Sequence, residues 1–239
     1  MSLLRPGGVE LTRYALELAG VKAGSALLDI GCGDGTAAAF ARDTFSLDVT
    51  AVDADEAAVA RAAEKGLNAK KMDAAALEFA SRSFDTVLME CVFTALDRQE
   101  EAIHEAYCML RPGGALILSD LYCRKPDLER WRADYKAAMA LFRRPRQHEE
   151  CGSGDHLPSP YCQDGAIVME GLYGLLEELE LEVAHFEDRT EDLKAFCAQA
   201  ILDYGSVEAY FEAQEGWKPC AAAGKDVGYF LLIARKKDA

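Results

Sequence analysis

Short apolar runs alternate with amphipathic segments through the first half of the chain, a pattern typical of a parallel sheet with helical crossovers. A helix is predicted over residues 11–18 before the alternation begins. The predicted strands cover residues 26–30, 48–53, 67–72, 84–92 and 115–122, and the predicted helices cover 36–43, 55–65 and 97–110. This order predicts an α/β fold of the doubly wound type, with functional residues at the carboxyl ends of the strands.

The second half departs from this regular alternation. It predicts helices over 126–142, 165–179 and 190–214, strands over 181–187 and 226–235, and a loop over 143–164 that is rich in Pro, Gly, His and Cys. We expect one domain over residues 1–239, in which two inserts, 123–164 and 189–224, cover the strand-end face. Inserts in that position usually shape the substrate pocket.

Composition narrows the class of protein. The formal net charge of −15 disfavours a nucleic-acid partner, because affinity for a phosphate backbone depends on lysines and arginines. No signal peptide or membrane-length apolar run is visible, so the sequence predicts a cytoplasmic protein with no membrane partner. Eight cysteines without a CxxC pair then indicate buried or chemically active thiols rather than a disulfide framework.

The stretch LLDIGCGDGT at residues 27–36 predicts a strand, a glycine turn and a helix start. A dinucleotide fingerprint would need glycine at position 36, where this chain has Thr36. Asp29 and Asp34 would repel a pyrophosphate placed at the helix N-terminus. The two carboxylates favour a cofactor with positive charge at this end, and S-adenosylmethionine has both an ammonium and a sulfonium group.

Two further carboxylates follow later strands in the order that such a cofactor requires. Asp53 ends the second strand, where it can accept both ribose hydroxyls, although a helix N-cap is the alternative interpretation. Asp73 ends the third strand and can accept a hydrogen bond from the adenine amino group.

These motifs, with VTAVDADE and EAYCMLRPGGALILSD, resemble the class I S-adenosylmethionine-dependent methyltransferases, in particular the quinone-biosynthesis and small-molecule branch. The resemblance covers about residues 25–122 and implies a Rossmann-like, seven-stranded, mostly parallel sheet with an antiparallel last strand. It also implies a set of cofactor-binding residues: Asp29, Gly31 and Gly33 at the methionine moiety with Cys32 in the same loop, Asp53 and Ala54 at the ribose, Asp73 and Ala74 at adenine, and Glu90 and Cys91 at the sulfonium.

A second resemblance is to the arsenite methyltransferases, through ECVFTAL and YCQDGAIVMEGL. In that family a cysteine like Cys162 binds trivalent arsenic, and soft thiolates suit such a centre. This chain departs from the pattern at Glu90, where the family has asparagine.

The loop around Cys162 also has the spacing of a zinc site. His148, Cys151, His156 and Cys162 follow the pattern H-x2-C-x4-H-x5-C, for which a solvated loop is the alternative interpretation. We assign no metal from the sequence.

The leading hypothesis is methyl transfer to a small-molecule acceptor. Asp120, Tyr122 and His156 are candidate bases for an oxygen or carbon acceptor, with His148 as a further one, and Cys162 is the candidate contact for a soft acceptor. A structural cap is the alternative role for Asp120. A metalloid methyltransferase, a nucleotide-dependent dehydrogenase and a non-catalytic S-adenosylmethionine-binding module remain open, as does pairing of two copies through residues 190–214.

Overall fold

The computed structural model describes residues 5–142, 160–213 and 226–238. The strands are β1 Ala26–Ile30, β2 Asp48–Asp53, β3 Asn68–Lys71, β4 Phe84–Glu90, β5 Leu110–Cys123, β6 Cys162–Gln163, β7 Ala166–Ile167, β8 Leu181–Asp188 and β9 Val227–Lys236. The helices are α1 Gly8–Ala19, α2 Thr36–Phe45, α3 Glu56–Glu64, α4 Gln99–Met109, α5 Leu128–Phe142, α6 Met169–Glu178, α7 Thr190–Tyr204 and α8 Val207–Ala213, and a 3₁₀ turn covers Phe93–Ala95.

One mixed sheet organises these elements. Strands β3, β2, β1, β4 and β5 lie side by side in that order and are parallel. Strand β9 pairs antiparallel with both β5 and β8. In chain order, β2 and then β3 are added on one side of β1, and β4 is then added on the other side of β1. Ligands of doubly wound sheets bind at such a reversal, outside the carboxyl ends of the strands.

Apolar side chains cover both faces of the sheet. On one face, buried residues of α4 and α6 pack against β4, β5 and β9. On the other, buried residues of α1, α2 and α7 pack against β1, β2 and β9. The continuous apolar runs of the central strands arise because these strands are buried on two sides.

The predicted α/β fold, mostly parallel with an antiparallel last strand, is confirmed. The strand count is wrong, because the sheet has nine described strands rather than seven. The two extra strands, β6 and β7, form a hairpin inside the segment predicted as a loop and a helix start, so α6 begins at Met169 rather than at 165. Asp164 and Gly165, both with positive φ, make its two-residue turn.

The predicted helix over 190–214 is divided in two. Gly205 has φ 89° and ends α7, and α8 begins two residues later at Val207. Glycine adopts this left-handed conformation without the steric cost of a side chain. Pairing of two copies through this segment, the single domain over 1–239 and the role of the two inserts stay predictions.

None of the helices within 5–142, 160–213 and 226–238 has both the length and the hydropathy that crossing a bilayer requires.

Candidate cofactor site at the carboxyl ends of β1, β2 and β4

The glycine loop between β1 and α2 is held against β2. The backbone N–H groups of Gly31 and Cys32 both donate to the carbonyl of Val52, at 2.8 and 3.0 Å. Gly31 has φ 71°, and a Cβ placed there would lie 2.3 Å from a methyl group of Val92. Gly33 has φ 56°, and a Cβ there would meet no atom within 4 Å. The loop is therefore packed tightly at Gly31 and borders open space at Gly33.

Asp53 joins this loop to the start of α3. Its Oδ2 accepts from the Gly33 N–H at 2.9 Å, and its Oδ1 accepts from the Asp55 N–H at 2.9 Å. The N-cap of α3 is Asp55, whose side chain accepts from Ala57 and Ala58. The alternative reading of Asp53 as a helix cap is therefore wrong, because its neighbour performs that role.

Asp34, the second carboxylate of the loop, is engaged at the start of α2. It accepts from the Thr36 N–H at 3.0 Å and pairs with Lys65 at 2.7 Å. Burial alone would raise the pKa of Asp34, but the hydrogen bonds from Lys65 and Thr36 prevail and hold that pKa below its ordinary value.

A buried charged cluster lies beside the loop, where β1 and β4 end. Arg5, which precedes α1, pairs with Glu90, the last residue of β4. Arg5 also donates to Thr12, and the Thr12 hydroxyl lies 3.2 Å from Glu90 Oε2. Burial alone would lower the pKa of Arg5, but the Glu90 charge prevails and keeps it above the ordinary value.

Asp29 faces this cluster without a hydrogen-bond partner. The residue is 3% exposed, and Oδ2 is a buried oxygen that no described group contacts by hydrogen bonding. Burial, reinforced by the charge of Glu90, raises the pKa of Asp29 to about 8. A buried polar atom left unpaired costs free energy, so this oxygen marks a place where a ligand can donate a hydrogen bond.

Cys91 continues the site beyond β4 in a strained backbone conformation. Its φ is 57°, in the left-handed region that favours glycine. Its N–H donates to Ser119 O at 2.7 Å, and its Sγ lies 3.0 Å from the Tyr229 hydroxyl. Burial raises the pKa of Cys91 to about 12, so at neutral pH it is a thiol rather than a thiolate.

Asp73 and Ala74 follow β3 at the same edge of the sheet. Asp73 Oδ1 accepts from the Ala75 N–H at 2.9 Å, and Oδ2 pairs with Arg98, which precedes α4. Burial alone would raise the pKa of Asp73, but these two partners hold it below its ordinary value. The Asp73 carboxylate is thus ionised and fixed in direction.

Asp120 and Tyr122 lie on β5, and both side chains have protein partners. The Asp120 carboxylate accepts from the Thr94 N–H at 3.0 Å, the Thr94 hydroxyl at 2.7 Å and the Leu121 N–H at 2.7 Å. Burial raises the pKa of Asp120 to about 6 despite these donors. The Tyr122 hydroxyl bonds to Asp188. Asp120 therefore fixes the turn that follows β4.

Cys162 lies on the β6–β7 hairpin, 3.5 Å from Nε2 of Gln99. Gln99 in turn donates to the carbonyl of Phe93 at 2.7 Å. His148, Cys151 and His156 fall outside the described residues, so the zinc pattern and the role of His156 stay predictions. Among the side chains that are described, His, Cys, Asp and Glu form no group of three or more able to hold a metal ion.

These residues fit S-adenosylmethionine. The unpaired Asp29 oxygen can accept from its ammonium group, Gly33 borders open space, and Asp53 and Asp73 stand in sequence along the edge toward β3. The carboxylates of Asp29 and Asp34 disfavour a dinucleotide, and so does Thr36 at the position of the third fingerprint glycine, as expected from the sequence.

The sequence profile of a family described as a methyltransferase domain matches residues 28–118, from β1 to β5. This match confirms the resemblance to the class I S-adenosylmethionine-dependent methyltransferases that the sequence predicts. The chain is similar to 27-O-demethylrifamycin SV methyltransferase of Amycolatopsis mediterranei, with 29% identity over 95% of this chain and 84% of that protein. It is also similar to phosphoethanolamine N-methyltransferase 3 of Arabidopsis thaliana, with 26% identity over 50% of this chain and 26% of that protein.

The fold of this chain also matches solved structures. Phosphoethanolamine N-methyltransferase 2 of Haemonchus contortus, in complex with S-adenosylhomocysteine, aligns with TM-score 0.69 and 20% identity over 98% of this chain and 54% of that one. The chain spans about half, or less, of the length of the first curated relatives that it matches.

Sequence reasoning missed two arginines at this site, Arg5 and Arg98. Arg5 lies before α1, and no sequence motif next to it indicates that it contributes to a site. Arg98 stands at the N-terminus of α4, where the helix dipole disfavours a cation. An arginine in that position indicates a carboxylate partner, and this signal could have led to Asp73.

Proposed function

We propose that the protein transfers the methyl group of S-adenosylmethionine to a small-molecule acceptor. The observation that carries the proposal is the buried, unpaired Asp29 oxygen beside a glycine loop that Asp53 ties down. The match of residues 28–118 to a methyltransferase domain supports it independently.

The cofactor supplies an electrophilic methyl group on a positively charged sulfur. The protein contributes orientation, since well-oriented reactants reach effective molarities of ~10⁵ M or more. Asp53 would accept from the ribose hydroxyls and Asp73 from the adenine amino group. Asp29 would accept from the ammonium group, and the backbone of Glu90 and Cys91 would line the sulfonium.

We assign Asp120 a positioning role in place of the base expected from sequence. Its carboxylate accepts three hydrogen bonds from Thr94 and Leu121, which supports a part in holding the turn between β4 and α4. Tyr122, bonded to Asp188, fixes the end of β5 in the same way. His156 remains the proposed base for an oxygen, nitrogen or carbon acceptor.

Soft acceptors are a weaker proposal. Cys162 lies near the turn that follows β4. The other cysteine at this turn, Cys91, is a protonated thiol at neutral pH. A trivalent arsenic centre prefers thiolates. We therefore place arsenite behind other small molecules as an acceptor.

Partners and location belong to the same proposal. The net charge of −15 supports a small molecule rather than a nucleic acid as the acceptor. Five free cysteines among the described residues, Cys32, Cys91, Cys108, Cys123 and Cys197, support a reducing compartment, and we propose the cytoplasm.

The decisive experiment measures cofactor binding and methyl transfer separately. Isothermal titration with S-adenosylmethionine should give saturable binding that Asp53→Ala weakens about tenfold or more, because both ribose hydroxyls lose an acceptor. Asp48→Ala, at the opposite end of β2 and exposed, is the matched control and should bind as the wild type does. Equal affinity of the Asp53 variant would overturn the ribose assignment.

Transfer of labelled methyl to a panel of small acceptors, with arsenite and thiols among them, then tests catalysis. Cys162→Ser, compared with Cys108→Ser on α4, shows whether a soft acceptor uses the hairpin thiol. Binding without transfer to any acceptor would favour a non-catalytic module that holds the cofactor as a ligand.

A further inference from the structure

The first residue after β4, Cys91, has an unfavourable backbone conformation next to the cofactor loop. Its φ of 57° lies in the left-handed region, which costs free energy for a residue with a Cβ. Val92 follows directly, and its methyl groups fill the space beside Gly31, where an added Cβ would lie 2.3 Å from the nearest of them. The conformation of Cys91 therefore sets the position of the side chain against which the cofactor loop packs.

Residues of β5 and β9 hold Cys91 in this conformation. The Cys91 N–H donates to the carbonyl of Ser119 at 2.7 Å. The Tyr229 hydroxyl donates to Ser119 Oγ at 3.1 Å and lies 3.0 Å from Cys91 Sγ, so the hydroxyl oxygen can accept from the thiol. Ser119 and Tyr229 are both completely buried. The backbone of Cys91 is therefore held by Ser119, and its side chain is held by Tyr229.

Tyr229 is itself fixed by the start of α7. Its carbonyl accepts from the Arg189 N–H at 2.7 Å, and its N–H donates to Thr190 Oγ1 at 3.4 Å. Burial raises the pKa of both Tyr229 and Cys91, so the two groups are uncharged at neutral pH. The Tyr229 hydroxyl is thus a neutral group on a firmly held strand, and its position does not depend on the turn that it supports.

We propose that Tyr229 is a positioning residue for the cofactor site, whose hydroxyl holds Cys91 in the left-handed conformation and so keeps the turn after β4 ready to bind S-adenosylmethionine. The inference rests on the proposed function. Without this support, the unliganded turn relaxes part of the time, and Val92 then leaves its place against the cofactor loop. The apparent affinity falls in proportion to the fraction of molecules that remain competent to bind.

Tyr229→Phe tests this support directly, because it keeps the ring and removes only the hydroxyl. Isothermal titration with S-adenosylmethionine should show an affinity about threefold to tenfold weaker, as expected for the loss of one buried hydrogen bond. Tyr173→Phe, at an exposed tyrosine of α6, is the matched control and should bind as the wild type does. A merely structural role would lower the urea midpoint of Tyr229→Phe and leave its affinity unchanged.

Two substitutions at Cys91 show whether Tyr229 acts through the backbone conformation. Cys91→Ala and Cys91→Gly both remove the thiol that contacts Tyr229, but only alanine keeps the Cβ that makes φ 57° costly. We expect Cys91→Ala to bind about threefold to tenfold more weakly, as Tyr229→Phe does. Cys91→Gly should bind within about twofold of the wild type, because glycine adopts positive and negative φ about equally. The double variant Tyr229→Phe/Cys91→Gly should bind as Cys91→Gly alone does.

The outcomes separate this inference from the proposed function. Wild-type protein that does not bind S-adenosylmethionine contradicts the proposed function itself. Wild-type binding with equal affinities of Cys91→Ala and Cys91→Gly, or with Tyr229→Phe within about twofold of the wild type, overturns the role of Tyr229 and leaves the proposed function standing. The comparison of Cys91→Ala with Cys91→Gly decides the matter even where Tyr229→Phe folds poorly.

Discussion

The contact between Gly31 and Val92 allows a sharp test of how the cofactor loop is built. Gly31→Ala adds a methyl group at φ 71°, and that methyl would lie 2.3 and 2.9 Å from the two methyl groups of Val92. The left-handed conformation costs about 1–2 kcal/mol for a residue with a side chain. Overpacking adds about 1–3 kcal/mol. We therefore expect Gly31→Ala to lower the free energy of unfolding by about 2–5 kcal/mol.

Gly33→Ala is the matched control. Gly33 also has positive φ, at 56°, but its added methyl meets no atom within 4 Å. Its cost should be the conformational part alone, about 1–2 kcal/mol. Urea denaturation of the apo protein, followed by circular dichroism, measures both variants under the same conditions.

The double variant Gly31→Ala/Val92→Ala completes the cycle. Removing the Val92 methyls should relieve the steric part and leave a coupling of about 1–3 kcal/mol between the two positions. Gly33→Ala and Val92→Ala should be additive. Additive costs for Gly31→Ala and Val92→Ala would refute the reasoning, because the clash would then contribute nothing.

Three further predictions concern other parts of the site. Burial raises the pKa of Asp29 to about 8, so its carboxyl group holds a proton in the folded state at pH values where the unfolded chain has lost it. The free energy of unfolding should therefore fall by about 1.4 kcal/mol per pH unit from this group as pH rises from 5 to 7.5. Asp29→Asn should remove that slope in urea titrations, and parallel curves for the two proteins would contradict the prediction. Arg98→Gln should weaken S-adenosylmethionine binding about threefold to tenfold in isothermal titration, because Asp73 loses the partner that directs it, and unchanged affinity would exclude that positioning role. Gly165→Ala, at φ 82°, should lower the free energy of unfolding by about 1–2 kcal/mol, and an unaltered urea midpoint would show that the hairpin turn tolerates a side chain.

The sheet could be predicted because its strands are buried on two faces and read as continuous apolar runs. The β6–β7 hairpin was missed because two residues on each side of Asp164 and Gly165 are too few to show a period. The Asp-Gly pair itself is a strong turn signal and could have placed the hairpin. The division at Gly205 was likewise readable from a glycine inside a helical pattern.

In the candidate site, too, features set by neighbouring residues could be predicted, whereas contacts between residues far apart in the sequence could not. The positions of Asp53 and Asp73 at the strand-end edge could be predicted, because Asp53 is the last residue of β2 and Asp73 lies two residues beyond β3; their contacts with the cofactor stay predictions. The Arg5–Glu90 pair joins residues 85 positions apart, and no local pattern connects them. The engagement of Asp120 by Thr94 was equally out of reach, because it depends on how the turn after β4 folds back onto β5.

The position of β9 has a consequence for how the protein is made. This strand lies between β5 and β8, and its Tyr229 supports Cys91 at the candidate site from 138 residues away. While the ribosome has not yet released residues 227–236, the long edge of β5 has no partner on that side and is open to pairing with other chains. Folding of this sheet during synthesis therefore cannot be complete before β9 has emerged, and a nascent chain that stalls before β9 should be a substrate for chaperones or a seed for aggregates.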